Sequence, residues 1–285
     1  MLSNADPDAA REALRSARAI AVLTGAGVSA ESGIPTFRSN GGYWRSHRFE
    51  DLATPAGFAR DPKMVWDWYE ERRRGIAAAQ PNAGHQALVD LERTTAVFTL
   101  ITQNVDGLHE RAGSRNVIRL HGSIWEVRCT SCRESRIQTA ELTDLPPRCA
   151  CGGMLRPGVV WFGESLPEGA MERATQAVSD ADILIVAGTS AQVYPAAGLI
   201  PLALDHGARV IEINLKRKGR RTRRQRTEEP PVQPCLAAGL APVPYAETEF
   251  SDASTWSFRG TSAHILPRLC CNNKETPPPP AASIR

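Results

Sequence analysis

Leu23 to Arg38 reads LTGAGVSAESGIPTFR. Its GAGVSA core, Gly25 to Ala30, follows the apolar run AIAV and fits the G-x-G-x-x-G/A turn that brings a dinucleotide's phosphates against the backbone. In a dehydrogenase that turn opens a long helix. Here Gly33 and Pro35 follow at once, and proline removes a helical hydrogen bond and clashes with the turn before it. The stretch predicts a strand, a glycine turn, and then a loop able to fold over a dinucleotide.

Similar apolar runs recur along the chain: AVFTLITQN (96–104), VIRLHGS (117–123), GVVWFGE (158–164), DILIVAGTS (182–190) and ARVIEIN (208–214). Most are continuously apolar rather than alternating, as strands buried on both faces are. Helical patterns lie between several of them, at 62–80, 83–93 and 167–180, and the N-terminal segment reads as a first helix. The alternation predicts an α/β fold, a doubly wound parallel (Rossmann-like) sheet. Ligands of such sheets sit beyond the carboxyl ends of the strands. The tails GAGVS, TQNVDG, HGS, GES and GTS all fall at those ends.

Two stretches break the pattern. Residues 124–157 are rich in Cys, Arg and Pro and carry Cys129-Thr-Ser-Cys132 and Cys149-Ala-Cys151. Four thiolates from two knuckles satisfy tetrahedral zinc, in a segment too poor in apolar residues to fold alone. With no open position, such a zinc is structural. Buried free cysteines or a disulfide are the alternative. Cys235, Cys270 and Cys271 read as incidental thiols.

The second stretch is 216–246. Its run KRKGRRTRRQR (216–226) holds eight of the chain's basic residues, enough to turn an otherwise net-negative chain into one of charge +3. The body therefore shows no basic nucleic-acid groove, and any polyanion binding is expected only through 216–226. The insertion reads as a solvated linker, a targeting or polyanion segment, or retained intron.

No apolar stretch is long enough to span a bilayer, and the N-terminus carries early acids and no apolar h-region. No membrane partner is expected. Reduced zinc thiolates point to an intracellular compartment, cytoplasmic with the mitochondrial matrix as the alternative. His121 ends a predicted strand at the ligand edge, where a neutral imidazole suits a general base. Gln103, Asn104 and Asp106 end another, either as capping residues or as part of a polar pocket.

In order and spacing, GAGVSAESGIPTFR, TQNVDGLHERAG, LHGS, the paired cysteines, GVVWFGE and GTSAQVYPAAG resemble the sirtuins, the NAD-dependent protein deacylases. The likeness covers roughly residues 10–215 and resumes near 247; 216–246 have no counterpart in it. It implies a Rossmann-like domain from 8–38, 81–123 and 158–269. A smaller helical part (39–80) and the zinc module (124–157) are inserted in it, and a disordered tail follows at 270–285.

It also implies an NAD set. Gly25, Ala26, Gly27, Ser29, Ala30, Thr36, Phe37, Arg38 and Trp44 belong to the loop over the co-substrate. Gln103, Asn104 and Asp106 line the nicotinamide and ribose pocket. Gly188, Thr189 and Ser190 lie on the adenosine side, Asn214 at the adenine ribose, with Ser262 near the end. His121 becomes the catalytic base, taking a proton from a ribose hydroxyl so that this oxygen attacks the captured acyl carbon. The products are lysine, nicotinamide and O-acyl-ADP-ribose.

WYEERRR (68–74) bears on the subclass. Tyr69 and Arg72 share a helix face, whereas Arg73 and Arg74 read as a solvated charged face. In class III sirtuins a Y-x-x-R pair here reads the far end of the acyl group. A guanidinium fork and a phenol suit a carboxylate, and Ala53 resembles the small residue that makes room for it. The resemblance implies preference for succinyl-, malonyl- or glutaryl-lysine proteins over acetyl-lysine ones. The competing readings are mono-ADP-ribosyl transfer, a catalytically weakened NAD-binding module, and a dehydrogenase. The broken helix argues against the last.

Overall fold

The computed structural model describes residues 6–36, 43–44, 47–48, 52–215 and 254–270. Strands β1 (Ala19–Thr24), β4 (Val97–Thr102), β5 (Val117–Arg119), β9 (Ile183–Ala187), β10 (Arg209–Asn214) and β11 (Trp256–Arg259) form one sheet in the order β11-β10-β9-β1-β4-β5. Every neighbouring pair in it is parallel. Counted along the chain this is the doubly wound order 3-2-1-4-5-6, whose switch point lies beside the first strand.

The continuous apolar runs are explained by helices on both faces. Ile20 and Val22 of β1 pack with α1 (Pro7–Ser16), α4 (Ala83–Thr94) and α8 (Ser262–Cys270). Ala21 and Leu23 turn the other way, towards α6 (Ala170–Ser179) and α7 (Leu199–Asp205). A strand covered on both sides needs apolar residues at both parities. Caps set the helix starts: the Asp6 side chain accepts from Asp8 N and Ala9 N, and Pro7 takes the first position of α1.

The parallel register brings the strand ends to one level. Thr24 pairs with Thr102 and with Ala187, Thr102 with Arg119, and Ala187 with Ile213. The residues that follow are Gly25, Gln103, Leu120, Gly188 and Asn214. Most of the sequence-predicted site residues on the sheet therefore emerge along one edge.

GVVWFGE departs from expectation. Gly158 and Val159 end β8 (Leu155–Val159), which pairs antiparallel with β6 (Gly122–Cys129) in a separate sheet of order β7-β6-β8, with β7 at Ser135–Ile137. This sheet spans both sides of the expected 124–157 module. Its core is shared with α2 (Pro55–Arg60) and α3 (Pro62–Ala78): Phe58, Trp66 and Tyr69 pack with Ile124, Val127, Leu155 and Trp161. Trp66 is fully buried and its Nε1–H donates to Leu155 O at 2.8 Å.

Cys270 closes α8 and so is not part of a tail. Residues 271–285, the insertion at 216–246, Phe37 and Arg38 lie outside the described residues. β2 (Tyr43–Trp44) pairs with β3 (His47–Arg48), and of Trp44 only this backbone pairing is described. No helix among the described residues is long and apolar enough to cross a membrane.

Candidate NAD and acyl-lysine site

At the switch point two loops touch backbone to backbone. Gly25 N–H donates to Ala187 O at 3.1 Å and Gly27 N–H to Gly188 O at 2.8 Å. A Cβ at Gly25 would stand 2.8 Å from Thr189 Cβ, and one at Gly27 2.8 Å from Gly188 itself. Gly188 has φ +61°, and a Cβ there would meet Val28 N at 2.4 Å. The glycines thus serve the approach of the β1 and β9 loops to each other. Beyond them, Ala30–Ser32 form a single 3-10 turn, closed by Gly33 at φ 85°. A short turn stands where a dehydrogenase fingerprint would begin its helix.

Ser29, Asn104 and Asp106 form a buried polar cluster. Ser29 Oγ donates to Asp106 Oδ2 at 2.8 Å, and Asn104 Nδ2 lies 3.2 Å from Gly25 O and 3.3 Å from Ser29 Oγ. Leu108 N–H donates to Asp106 Oδ1 at 2.9 Å, at the start of α5 (Leu108–Ala112). Burial pushes the Asp106 carboxyl up; these two donors and Arg72 oppose it. Gln103 Nε2 donates to Thr189 Oγ1 at 2.9 Å and bridges the ends of β4 and β9.

His121 follows β5 after Leu120. Its Nδ1 lies 3.1 Å from Gln103 O, a carbonyl that can only accept, so Nδ1 carries the proton and Nε2 the lone pair. Burial lowers its pKa below the ordinary histidine value, against the carbonyl contact, which raises it. The ring is therefore neutral at pH 7.

Tyr69 and Arg72 lie on α3. Arg72 lines one cleft together with Ala26, Ser29, Asn104 and Asp106. Its guanidinium sits 5.1 Å from the Trp68 ring centroid. Tyr69 is buried, its phenol pushed up to about 12 mainly by desolvation, and it accepts from Trp161 Nε1–H at 2.9 Å. Ala53 is buried and accepts from Phe162 N–H at 3.0 Å. A roomier cavity of about 410 Å³ lies elsewhere, between α1, α4 and α8, and none of the sequence-predicted site residues lines it.

The Sγ atoms of Cys129, Cys132, Cys149 and Cys151 lie within 4.8 Å of one another. Ser131 N–H and Cys132 N–H approach Cys129 Sγ at 3.4 and 3.5 Å and favour its thiolate. Four soft donors from two knuckles fit one closed, structural zinc. Such an ion would tie the β6 end to the loop before β8 and leave no position for chemistry.

The Sir2 family profile matches residues 25–195. An NAD-dependent protein deacylase of Aquifex aeolicus is 57% identical over 197 residues, 68% of this chain and 82% of that protein. The chain belongs to the Sir2 family. The crystal structure of a Sir2 homologue–NAD complex aligns with a TM-score of 0.78 at 44% identity, covering 92% of each chain. A Sir2 structure with a deacetylated p53 peptide and 3′-O-acetyl ADP ribose aligns with a TM-score of 0.74 at 29% identity, over 92% of this chain and 96% of that one.

Within this Sir2 chain the remaining expected residues are more scattered. Asn214 Nδ2 donates to Glu212 Oε1 at 3.1 Å at the end of β10. Ser262 is buried at the start of α8, where that helix meets Gly84. Thr36 and Ser190 are half-buried in the β1 and β9 loops.

One expectation is corrected. Arg73 is not on a solvated face: it is 3% exposed, pairs with Glu70 at 2.7 Å, and donates to the carbonyls of Ile124, Gln138 and Ala140. Arg74 is exposed and pairs with Glu141, as the solvated reading expects.

Sequence reasoning missed His85 and His109, whose rings lie 4.8 Å apart behind the cluster. His85 Nε2 is 3.4 Å from Ser29 Oγ, and its pKa is lowered to about 4 by burial. The available signal was Asn82-x-x-His85, a capping box with histidine in the glutamate position.

Proposed function

We propose that this Sir2 protein is an NAD-dependent protein-lysine deacylase that removes succinyl, malonyl or glutaryl groups in preference to acetyl. The relatives' name supports NAD-dependent deacylation. The observation that carries the acyl preference is the position of Arg72, in one cleft with Ala26, Ser29, Asn104 and Asp106.

When bound, NAD supplies a ribose carbon that gives up nicotinamide and accepts the acyl oxygen. The chain's own residues do the rest. His121 Nε2, freed for a proton by the Nδ1 contact to Gln103 O, takes one from a ribose hydroxyl. Ser29, Asn104 and Asp106 hold the pocket polar and fixed, and Gln103, Thr189 and Ser190 bind along the adjoining strand ends. Gly25, Gly27 and Gly188 keep the two loops in register, and Asn214 and Ser262 serve the adenosine side.

Burial penalises the Arg72 charge, so a carboxylate entering that cleft is favoured. The planar fork takes it bidentately and the neutral Tyr69 phenol adds a donor. A plain acetyl group offers neither contact an acceptor.

Comparing kcat/KM on succinyl- and acetyl-lysine peptides tests this. Wild type is expected to prefer succinyl, and Arg72→Met to lose that preference by about a hundredfold, the worth of a charged hydrogen-bonded pair. An acetyl preference in wild type would refute the subclass.

A further inference from the structure

Trp161 follows β8, 2% exposed, and its indole Nε1–H donates to the Tyr69 hydroxyl oxygen at 2.9 Å. An indole N–H cannot accept. The phenol oxygen is therefore the acceptor, and its own proton must point away from Trp161. A phenol O–H has two in-plane orientations, and this contact removes one of them.

Trp161 is itself held firmly. The Arg156 guanidinium lies 3.6 Å from the indole centroid, and Phe58 packs at 5.2 Å. Arg156 donates to Val159 O at 2.9 Å and through both terminal nitrogens to the Glu164 carboxylate. Glu164 Oε2 also accepts Trp161 N–H at 2.8 Å; burial pushes the carboxyl up, but Arg156 and this backbone donor outweigh it and hold the carboxyl below its usual range. Glu164, Arg156 and Trp161 thus form a braced unit whose far end is the Tyr69 oxygen. The same loop meets Ala53 through Phe162 N–H.

We propose that Trp161 is a positioning residue for acyl recognition, turning the Tyr69 hydroxyl into a directed donor for the carboxylate at the far end of the acyl chain. This rests on the reading that Tyr69 and Arg72 bind that carboxylate. The burial that keeps the phenol protonated to about pH 12 ensures that a proton is there to donate.

The test is a double-mutant cycle read as the ratio of kcat/KM on succinyl- to acetyl-lysine peptides. It uses the full chain with Trp161→Phe, Tyr69→Phe and both together. Trp161→Phe keeps an aromatic face for Arg156 and removes the N–H donor together with part of the ring volume, a packing loss expected to affect both peptides alike. The ratio is expected to fall about fivefold in Trp161→Phe, the scale of one oriented hydrogen bond. The double variant is expected to match Tyr69→Phe alone, because no hydroxyl remains to orient.

Equal losses on both peptides would overturn the proposal. So would a Trp161→Phe effect that persists in the Tyr69→Phe background. If Trp161→Phe does not fold, Arg156→Met decides: it keeps both aromatic rings but releases the brace, and an unchanged ratio overturns the proposal. A wild-type enzyme that favours acetyl-lysine refutes the acyl reading beneath it instead, so the two failures are distinct.

Discussion

His121, the proposed base, takes its state from one contact and from burial. The Gln103 carbonyl fixes the proton on Nδ1, and burial lowers the pKa, so Nε2 is a neutral acceptor through the physiological range. The sign follows directly. A base must hold the ring unprotonated, so kcat/KM is expected to fall on the acid side, below the ordinary histidine range, as His121 takes up its second proton. His121→Ala is expected to lower kcat by about 10²- to 10⁴-fold, the usual share of a general base; a pH–rate profile and that variant check both statements. The residue was legible because LHGS closes an apolar run. Its tautomer was not, because the carbonyl that sets it belongs to Gln103, on another strand. Gly25 and Gly27 were legible as a turn, but their partner at Gly188 appears only once β1 and β9 lie side by side.

Helix α3 divides its duties by face. Arg72 lines the cleft, while Glu70 and Arg73 hold β6 and the loop after β7, where Glu70 Oε2 accepts Leu142 N–H at 3.3 Å. Arg73→Met is expected to cost about 3–5 kcal/mol, because it leaves the Glu70 carboxylate buried without its cation and frees three carbonyls. Arg74→Ala, at an exposed pair, is expected to cost less than about 1 kcal/mol. Chemical denaturation of the two variants measures the contrast. WYEERRR does not announce it, since three adjacent arginines look alike until the sheet packs on one of them. GVVWFGE misleads for a related reason. A short apolar run bounded by glycines reads as a buried parallel strand, and periodicity says nothing of an antiparallel partner. That partner is β6, whose register with β8 is interrupted between Gly122 and Val127.

Across the whole molecule, the strand order could be anticipated as a class but not as a sequence of neighbours. Alternating runs and helical patterns imply a doubly wound sheet; the position of β11 beyond β10 depends on a partner that lies past the 216–246 insertion. The site is assembled from both ends of this architecture. The sheet edge contributes Ser29, Asn104 and Asp106, and α3 brings Arg72 into the same cleft. That juxtaposition gives the central claim its most direct measurement: nicotinamide release from NAD by the purified protein, with succinyl-lysine peptide, unmodified peptide, or none. Release is expected only with the acylated peptide, in equal amount to the free lysine formed, and its steady-state rate is expected to fall with kcat in His121→Ala. Nicotinamide released without acyl peptide, or ADP-ribose joined to protein in its place, would contradict the account.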